Sequence, residues 1–203
     1  MLLIWSKIQA QNATVYVRDI TNFWNAYDSV QLENNEKLQL DYIQKLYVDK
    51  GTAGLIEFMN LRGGSSEKWL DMIKKDRDRL EKICSYTMSV LEQKAIIEQK
   101  LARMKELYSN FSGGDIFFTV GINNSGGTVQ GKHVLIRSEV TANKKPDWAV
   151  MIVLHEFVHT MQKTNNNHLL ANCILEGMAD FVAELAYGRN CQNIIHMDTL
   201  LLD

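Results

Sequence analysis

Proline occurs once in the chain, at Pro146, so little in the sequence interrupts a helix and long helices are permitted. Cysteine is scarce and poorly placed for cross-linking: Cys84, Cys173 and Cys191 are odd in number, and no two stand in a Cys-x-x-Cys spacing. This argues against a disulfide scaffold and against a cysteine-held zinc. No block of lysine and arginine occurs, and 22 cationic against 24 anionic side chains leave a net charge of −2. Nucleic acid is therefore not an expected partner. No apolar run approaches the ~20 residues that a membrane-spanning helix takes. Internal repeats and low-complexity tracts are also missing.

What is present suits one domain. The chain has 203 residues, 46% of them hydrophobic, enough to bury a substantial core. The first residues, MLLIWSKIQAQN, begin apolar, but their only cation, Lys7, follows the apolar part. Residues 1–18 are therefore read either as a remnant of a secretory signal ending near Ala10 or as an ordinary first helical turn. Residues 19–203 are expected to form a single domain, helical over 19–110 and built of strands and two further helices over 111–203.

Apolar residues at Phe23, Ala26, Tyr27 and Val30 have helical spacing, with Asp19 or Thr21 as the cap. Gly51 marks a stop before a shorter helix carrying Leu55, Phe58 and Met59. The run RGGSS breaks the chain, with Ser65 or Ser66 as the next cap. From Glu67 to Tyr108 the pattern predicts one bent helix or two successive ones, with Leu80, Ile83, Cys84, Leu91, Ala95 and Leu101 inward. The character then changes. Asp115–Ile122 and His133–Val140 are β-rich runs separated by the turn-rich NNSGGTVQG, so they read as a hairpin or two neighbouring strands. Asp147 is expected to cap a helix running through Trp148–Leu154 into His155, and a last helix is expected from about His168 to Tyr187, stopped by Gly188.

The chemistry concentrates in VMIVLHEFVHTMQ, residues 150–162. On a helix, His155 and His159 are four residues apart and face the same point, with Glu156 on the flank. This His-Glu-x-x-His arrangement suits two zinc ligands and a general base. The metzincin extension would need glycine at 162 and histidine at 165; the chain has Gln162 and Asn165. A third ligand is available on the next helix, where Glu176 follows His159 after sixteen residues. Asp180, one turn further on, is placed to accept the outer N–H of a ligating histidine. Gly177 is expected to let this helix lie close to its neighbour, with Leu175, Met178, Phe181 and Val182 crowding the acids. A solvated acidic stripe of Glu176, Asp180 and Glu184 is the plainer reading of the same residues.

The segments HEFVHTMQ and LLANCILEGMADFVAEL, with DITNFWNAYDSV, YVDKGTAGLIEFMNLR and IFFTVGINNSGGTVQGKHVLIRSEV, resemble the bacterial predicted zinc-dependent proteases related to the gliding-motility lipoprotein B group. The likeness covers most of the chain. More broadly, HExxH with a downstream ExxxD is similar to the gluzincin pattern of thermolysin-like peptidases. The resemblance implies a mostly helical α+β fold with zincin-like active-site helices packed on a small antiparallel sheet. It implies Zn2+ held by His155, His159 and Glu176, with Glu156 as catalytic acid/base and Asp180 behind the ligands. It further implies a peptide or protein substrate, export to the cell envelope, and a region beyond residue 203. Arg137 departs from the glycine expected in the second strand.

The expected reaction is peptide-bond hydrolysis by a zinc-activated water, with Glu156 taking its proton. The strand at 133–140 is a candidate for edge pairing with an extended substrate. Tyr187, His168 and His196 are candidate oxyanion donors. Two rivals stand beside this reading: a zinc-binding adapter without turnover, and a metal-free helical interaction protein.

Overall fold

The computed structural model describes residues 13–124, 126–145, 147–163 and 168–188. The apolar start, residues 1–12, lies outside them, as do His196 and Cys191. The protein is mostly helical α+β. A first strand, β1 (Ala13–Tyr16), precedes helices α1 (Arg18–Gln31), α2 (Glu36–Ile43), α3 (Ala53–Arg62), α4 (Ser66–Lys75), α5 (Arg77–Met88) and α6 (Val90–Leu107). A π-helical turn over Gln44–Val48 continues α2. Then come β2 (Gly114–Thr119), β3 (Gly127–Gln130), β4 (His133–Arg137), the short α7 (Ser138–Thr141), α8 (Trp148–His159) and α9 (Leu169–Tyr187).

The sheet has the order β1-β2-β4-β3 and is mixed, where an antiparallel one was expected. β1 with β2 and β2 with β4 are parallel; only β3 with β4 is antiparallel. The two β-rich runs are thus neighbours, but they do not form a hairpin. Part of the intervening turn-rich stretch is itself a strand, β3, which takes the outer place beside β4 and returns through Gly131 (φ 59) and Lys132. β1 pairs with β2 inside the segment read as a separate N-terminus, so residues 13–16 belong to the domain.

Successive residues of a strand face opposite sides. Phe117 lies under α3, and Phe118 meets the edge of Trp148 at the start of α8, their ring centres 6.0 Å apart. One face of the sheet therefore takes α3, and the other takes α8. A single hydrophobic core runs through both halves of the chain. The long region after Glu67 forms three helices. α4 is capped by Ser65, whose hydroxyl accepts from Lys68 N at 3.4 Å. The break at Ser89 resets the helical phase, so α6 turns Val90, Gln93, Ile97, Leu101 and Met104 inward. Leu91 and Ala95, expected inside, are exposed as a result.

One expected cap is used otherwise. Asp19 is buried and accepts from Thr52 N at 2.9 Å and Thr52 Oγ1 at 2.5 Å, tying α1 to the start of α3. Burial raises its carboxyl above the ordinary value, against the pull of those two bonds.

The segment after β2 is held by buried polar groups. The Tyr47 phenol donates to Val120 O at 2.6 Å and accepts from Val120 N at 3.0 Å, so a fully buried hydroxyl is satisfied in both roles. Trp69 Nε1 donates to the carbonyls of Val120 and Gly121 at 3.0 and 2.9 Å. The Glu139 carboxylate accepts from the backbone N–H groups of Gly121 and Asn123. These bonds direct the chain toward the sheet edge where β3 forms.

Arg137, unexpected at its position, has a use there. Its buried guanidinium lies 5.6 Å from the Phe58 ring and donates through Nη2 to Gly127 O at 2.8 Å, binding the first residue of β3 to β4. No helix among the described residues is long and apolar enough to cross a membrane.

The approach of α3 to the sheet depends on Gly54. A Cβ there would stand 2.2 Å from Phe117 Cγ. Gly54→Ala is expected to lower stability by about 1–3 kcal/mol through overpacking. Denaturant unfolding followed by circular dichroism measures this, and an unchanged midpoint would show that the helix can shift without cost.

Candidate metal centre

α8 ends in His155 and His159 because its apolar run is buried almost throughout. Trp148, Val150, Met151, Val153, Leu154 and Phe157 are within 1% of full burial, which fixes the helix's rotation and sends both imidazoles to one side. The neighbouring α9 packs against α8 and buries Ala179, Ala183 and Ala186. Their small side chains set the close approach. Gly177, expected to do so, has no atom within 4 Å of the place its Cβ would occupy. Met178 and Phe181 are more than half exposed, as are Leu170, Ile174 and Leu185, so the apolar residues of α9 do not enclose the acids as expected.

Three atoms converge between these helices. His155 Nε2 lies 3.1 Å from His159 Nε2 and 3.1 Å from Glu176 Oε2, and His159 Nε2 lies 3.5 Å from the same oxygen. The outer nitrogens fix the tautomers. His155 Nδ1 is 2.7 Å from Asp180 Oδ1, and a carboxylate can only accept, so the proton is on Nδ1. His159 Nδ1 is 2.7 Å from Gln162 Oε1, while the amide nitrogen of Gln162 donates to Leu175 O at 2.8 Å. The backbone carbonyl orients that amide, so His159 also carries its proton on Nδ1. Both Nε2 lone pairs therefore point at each other and at a carboxylate oxygen.

Such an arrangement is repulsive unless positive charge sits at its centre. A tetrahedral zinc with bonds of about 2.0–2.1 Å sets its ligands about 3.3 Å apart. The observed separations match that edge length, and the two-histidine, one-carboxylate set is of the kind found in catalytic zinc sites. His155, His159 and Glu176 could thus hold a metal ion, as their mutual spacing within 4.8 Å also indicates. His155 is 8% exposed and Glu176 56%, so the centre is closed on the α8 side and open to solvent beside α9. Glu184, the third acid of the solvated stripe, takes no part in the cluster.

Glu156 does not join the three. Its carboxylate packs on the adjoining flank of α8, over the backbone of β3: a Cβ on Gly127 would fall 2.1 Å from Glu156 Oε1. Only glycine leaves that space. Burial holds the Glu156 carboxyl above its ordinary value, with the two imidazoles pulling it down and Glu176 pushing it up.

Two residues of this site were not legible in the sequence. Gln162 served there only to exclude a longer motif, yet it orients the second histidine. Its position three residues after His159, one helical turn on, is the signal that could have shown it. Gly127 fell in a presumed turn. Among the candidate oxyanion donors, Tyr187 donates to Asp147 Oδ2 at 2.7 Å, at the far end of α8, and so is not beside the cluster. His168 is an exposed residue preceding α9, and His196 lies outside the described residues. The chain matches no family model, no curated protein and no solved structure.

Gln162→Leu is expected to weaken zinc binding by about 10- to 100-fold, since His159 loses the partner that fixes its ring. Competition against a chromophoric chelator measures the change. Gly177→Ala, in open space, should leave that affinity unaltered and raise stability by about 0.5–1 kcal/mol. Equal affinities for wild type and Gln162→Leu would show that the amide is idle.

Proposed function

We propose that the protein is a zinc-dependent metallopeptidase of gluzincin-like type. The observation that carries this reading is the meeting of His155 Nε2, His159 Nε2 and Glu176 Oε2 with their lone pairs inward, next to a carboxylate that is not one of the three. A structural zinc is usually closed by a fourth protein ligand and has no use for such a base. Zinc bound here would supply an acidified water and an electrophile for a carbonyl oxygen.

The chain's own residues divide the remaining work. His155, His159 and Glu176 would hold the ion. Asp180 and Gln162 keep the imidazoles in the tautomer that offers Nε2. Glu156 takes a proton from the attacking water as its oxygen bonds to the peptide carbon, and delivers that proton to the amine as the C–N bond breaks.

A peptide would be aligned by β3, whose side away from β4 pairs with no strand among the described residues. This replaces the expectation for residues 133–140: β4 lies between β2 and β3 and offers no edge, and its strand ends at Arg137. An extended chain added to β3 would pass directly beside Glu156, which rests on Gly127.

A zinc-binding adapter without turnover is the second reading. It is favoured by the engagement of Tyr187 with Asp147, which leaves that candidate donor away from the centre.

Purified protein is expected to carry one equivalent of zinc by elemental analysis, and to lose it on substitution of either histidine. Glu156→Gln should retain the metal and lose cleavage of a mixed peptide pool by at least about 100-fold. Gly127→Val, which fills the space of the carboxylate, should do the same. Zinc with no turnover in the parent would favour the adapter; undiminished cleavage by Glu156→Gln would refute the mechanism.

A further inference from the structure

Alternation along β3 places its residues in two environments. Gly127 faces α8 and Glu156, so Thr128 faces the other side of the sheet, where α3 lies. There the last residue of α3, Arg62, donates through Nη2 to Thr128 Oγ1 at 3.4 Å. Its side chain is exposed at the rim of the sheet. The buried guanidinium of Arg137 is close enough that the two cations repel. The acids nearby are engaged elsewhere: Glu57 is 2.7 Å and Asp115 4.0 Å from His133, Glu139 accepts from the N–H groups of Gly121 and Asn123 beside Arg137, and Glu156 is on the opposite face. The α3 side of the edge strand is therefore cationic beside the residue next to Gly127.

We infer that Arg62 selects substrates with an acidic side chain at the position that lies opposite Thr128 when an extended peptide pairs with β3. The inference rests on the peptidase reading for its consequence but is a statement about recognition. A strand added to β3 would lie about 4.8 Å away, with the side chain opposite Thr128 on the same face and about 5 Å from it. Arg62 already touches Thr128, so a carboxylate there meets the guanidinium. Residues to either side of it would point toward α8 and Glu156, so the acid falls close to the peptide bond whose hydrolysis Glu156 would assist.

The test separates recognition from turnover. Fluorescein-labelled decapeptides of alanine, threonine and valine, with Glu, Gln or Lys placed at each position in turn, are bound to the zinc-loaded Glu156→Gln protein and followed by anisotropy. At low salt, Glu at a preferred position should bind about two- to fivefold more tightly than Lys, the size of an exposed ion pair. Adding Arg62→Glu should invert that order, and high salt should remove it. Arg62 is exposed, and an unchanged melting temperature will show that the variant is folded. An identical ranking with and without Arg62 would overturn the inference. If peptides bind in the expected order but the parent protein cleaves none, the peptidase reading fails and the recognition surface stands. If they are cleaved with no charge preference, the peptidase reading stands and Arg62 has no such role.

Discussion

Two imidazole nitrogens and one carboxylate oxygen lie 3.1–3.5 Å apart with their lone pairs facing inward, and this shared electrostatic demand organises one side of the molecule. Left without positive charge among them, the three would push α8 and α9 apart. The protein holds them together by other means: the packing of α9, with its buried alanines, on α8, the Asp180 bond to His155, and Gln162, which spans from His159 to the backbone of α9 at Leu175. Preorganisation of this kind spends folding energy to keep three donors that could hold a cation assembled, and the outer partners fix the orientation of both rings.

The site is not confined to the two helices. Glu156 reaches the sheet, where the absence of a side chain at Gly127 makes room for its carboxylate. That room exists only because β3 is placed at the edge of the sheet, and its position is anchored from the opposite side of the core. Tyr47, Trp69 and Glu139 bind the chain leaving β2, while Arg137 binds the carbonyl of Gly127 itself. The aromatic helices of the first half of the chain thus determine where the Glu156 carboxylate of the second half rests. The division into a helical part and a strand-bearing part describes the order of the sequence better than it describes the packing.

Helices were legible where periodicity and punctuation agreed: Ser65 opens α4, and Gly188 ends α9 in the left-handed conformation. They were misread where a short break altered the phase, as at Ser89, because a one-residue offset rotates every later side chain by about 100°. Of the two pairings open for the β-rich runs, neighbouring strands held and the hairpin did not, for a different reason. Two β-rich runs joined by a turn-rich stretch suit a hairpin, but the stretch was long enough to contain a strand of its own, and parallel pairing of β2 with β4 depends on where that strand goes. Asp19 was assigned to the nearest helix end, whereas its carboxylate satisfies Thr52; Asp147 does hold the N-cap place of α8, but its carboxylate accepts from Tyr187, distant in the chain.

The sequence by itself determined the local geometry: residues four apart on a helix share a face, so His155 and His159 were paired, as were Glu176 and Asp180, before any tertiary contact was known. It could not determine that these two faces meet, that Gln162 turns its amide to the second histidine, or that Glu156 rests on a glycine of an edge strand. Those depend on the separation and rotation of helices, which are set by the volumes of residues far apart in the chain, Ala179 and Ala183 on one side and the Tyr47 and Trp69 anchors on the other. Backbone periodicity acts within a turn of helix; close packing acts across the whole core, and only the folded chain resolves it.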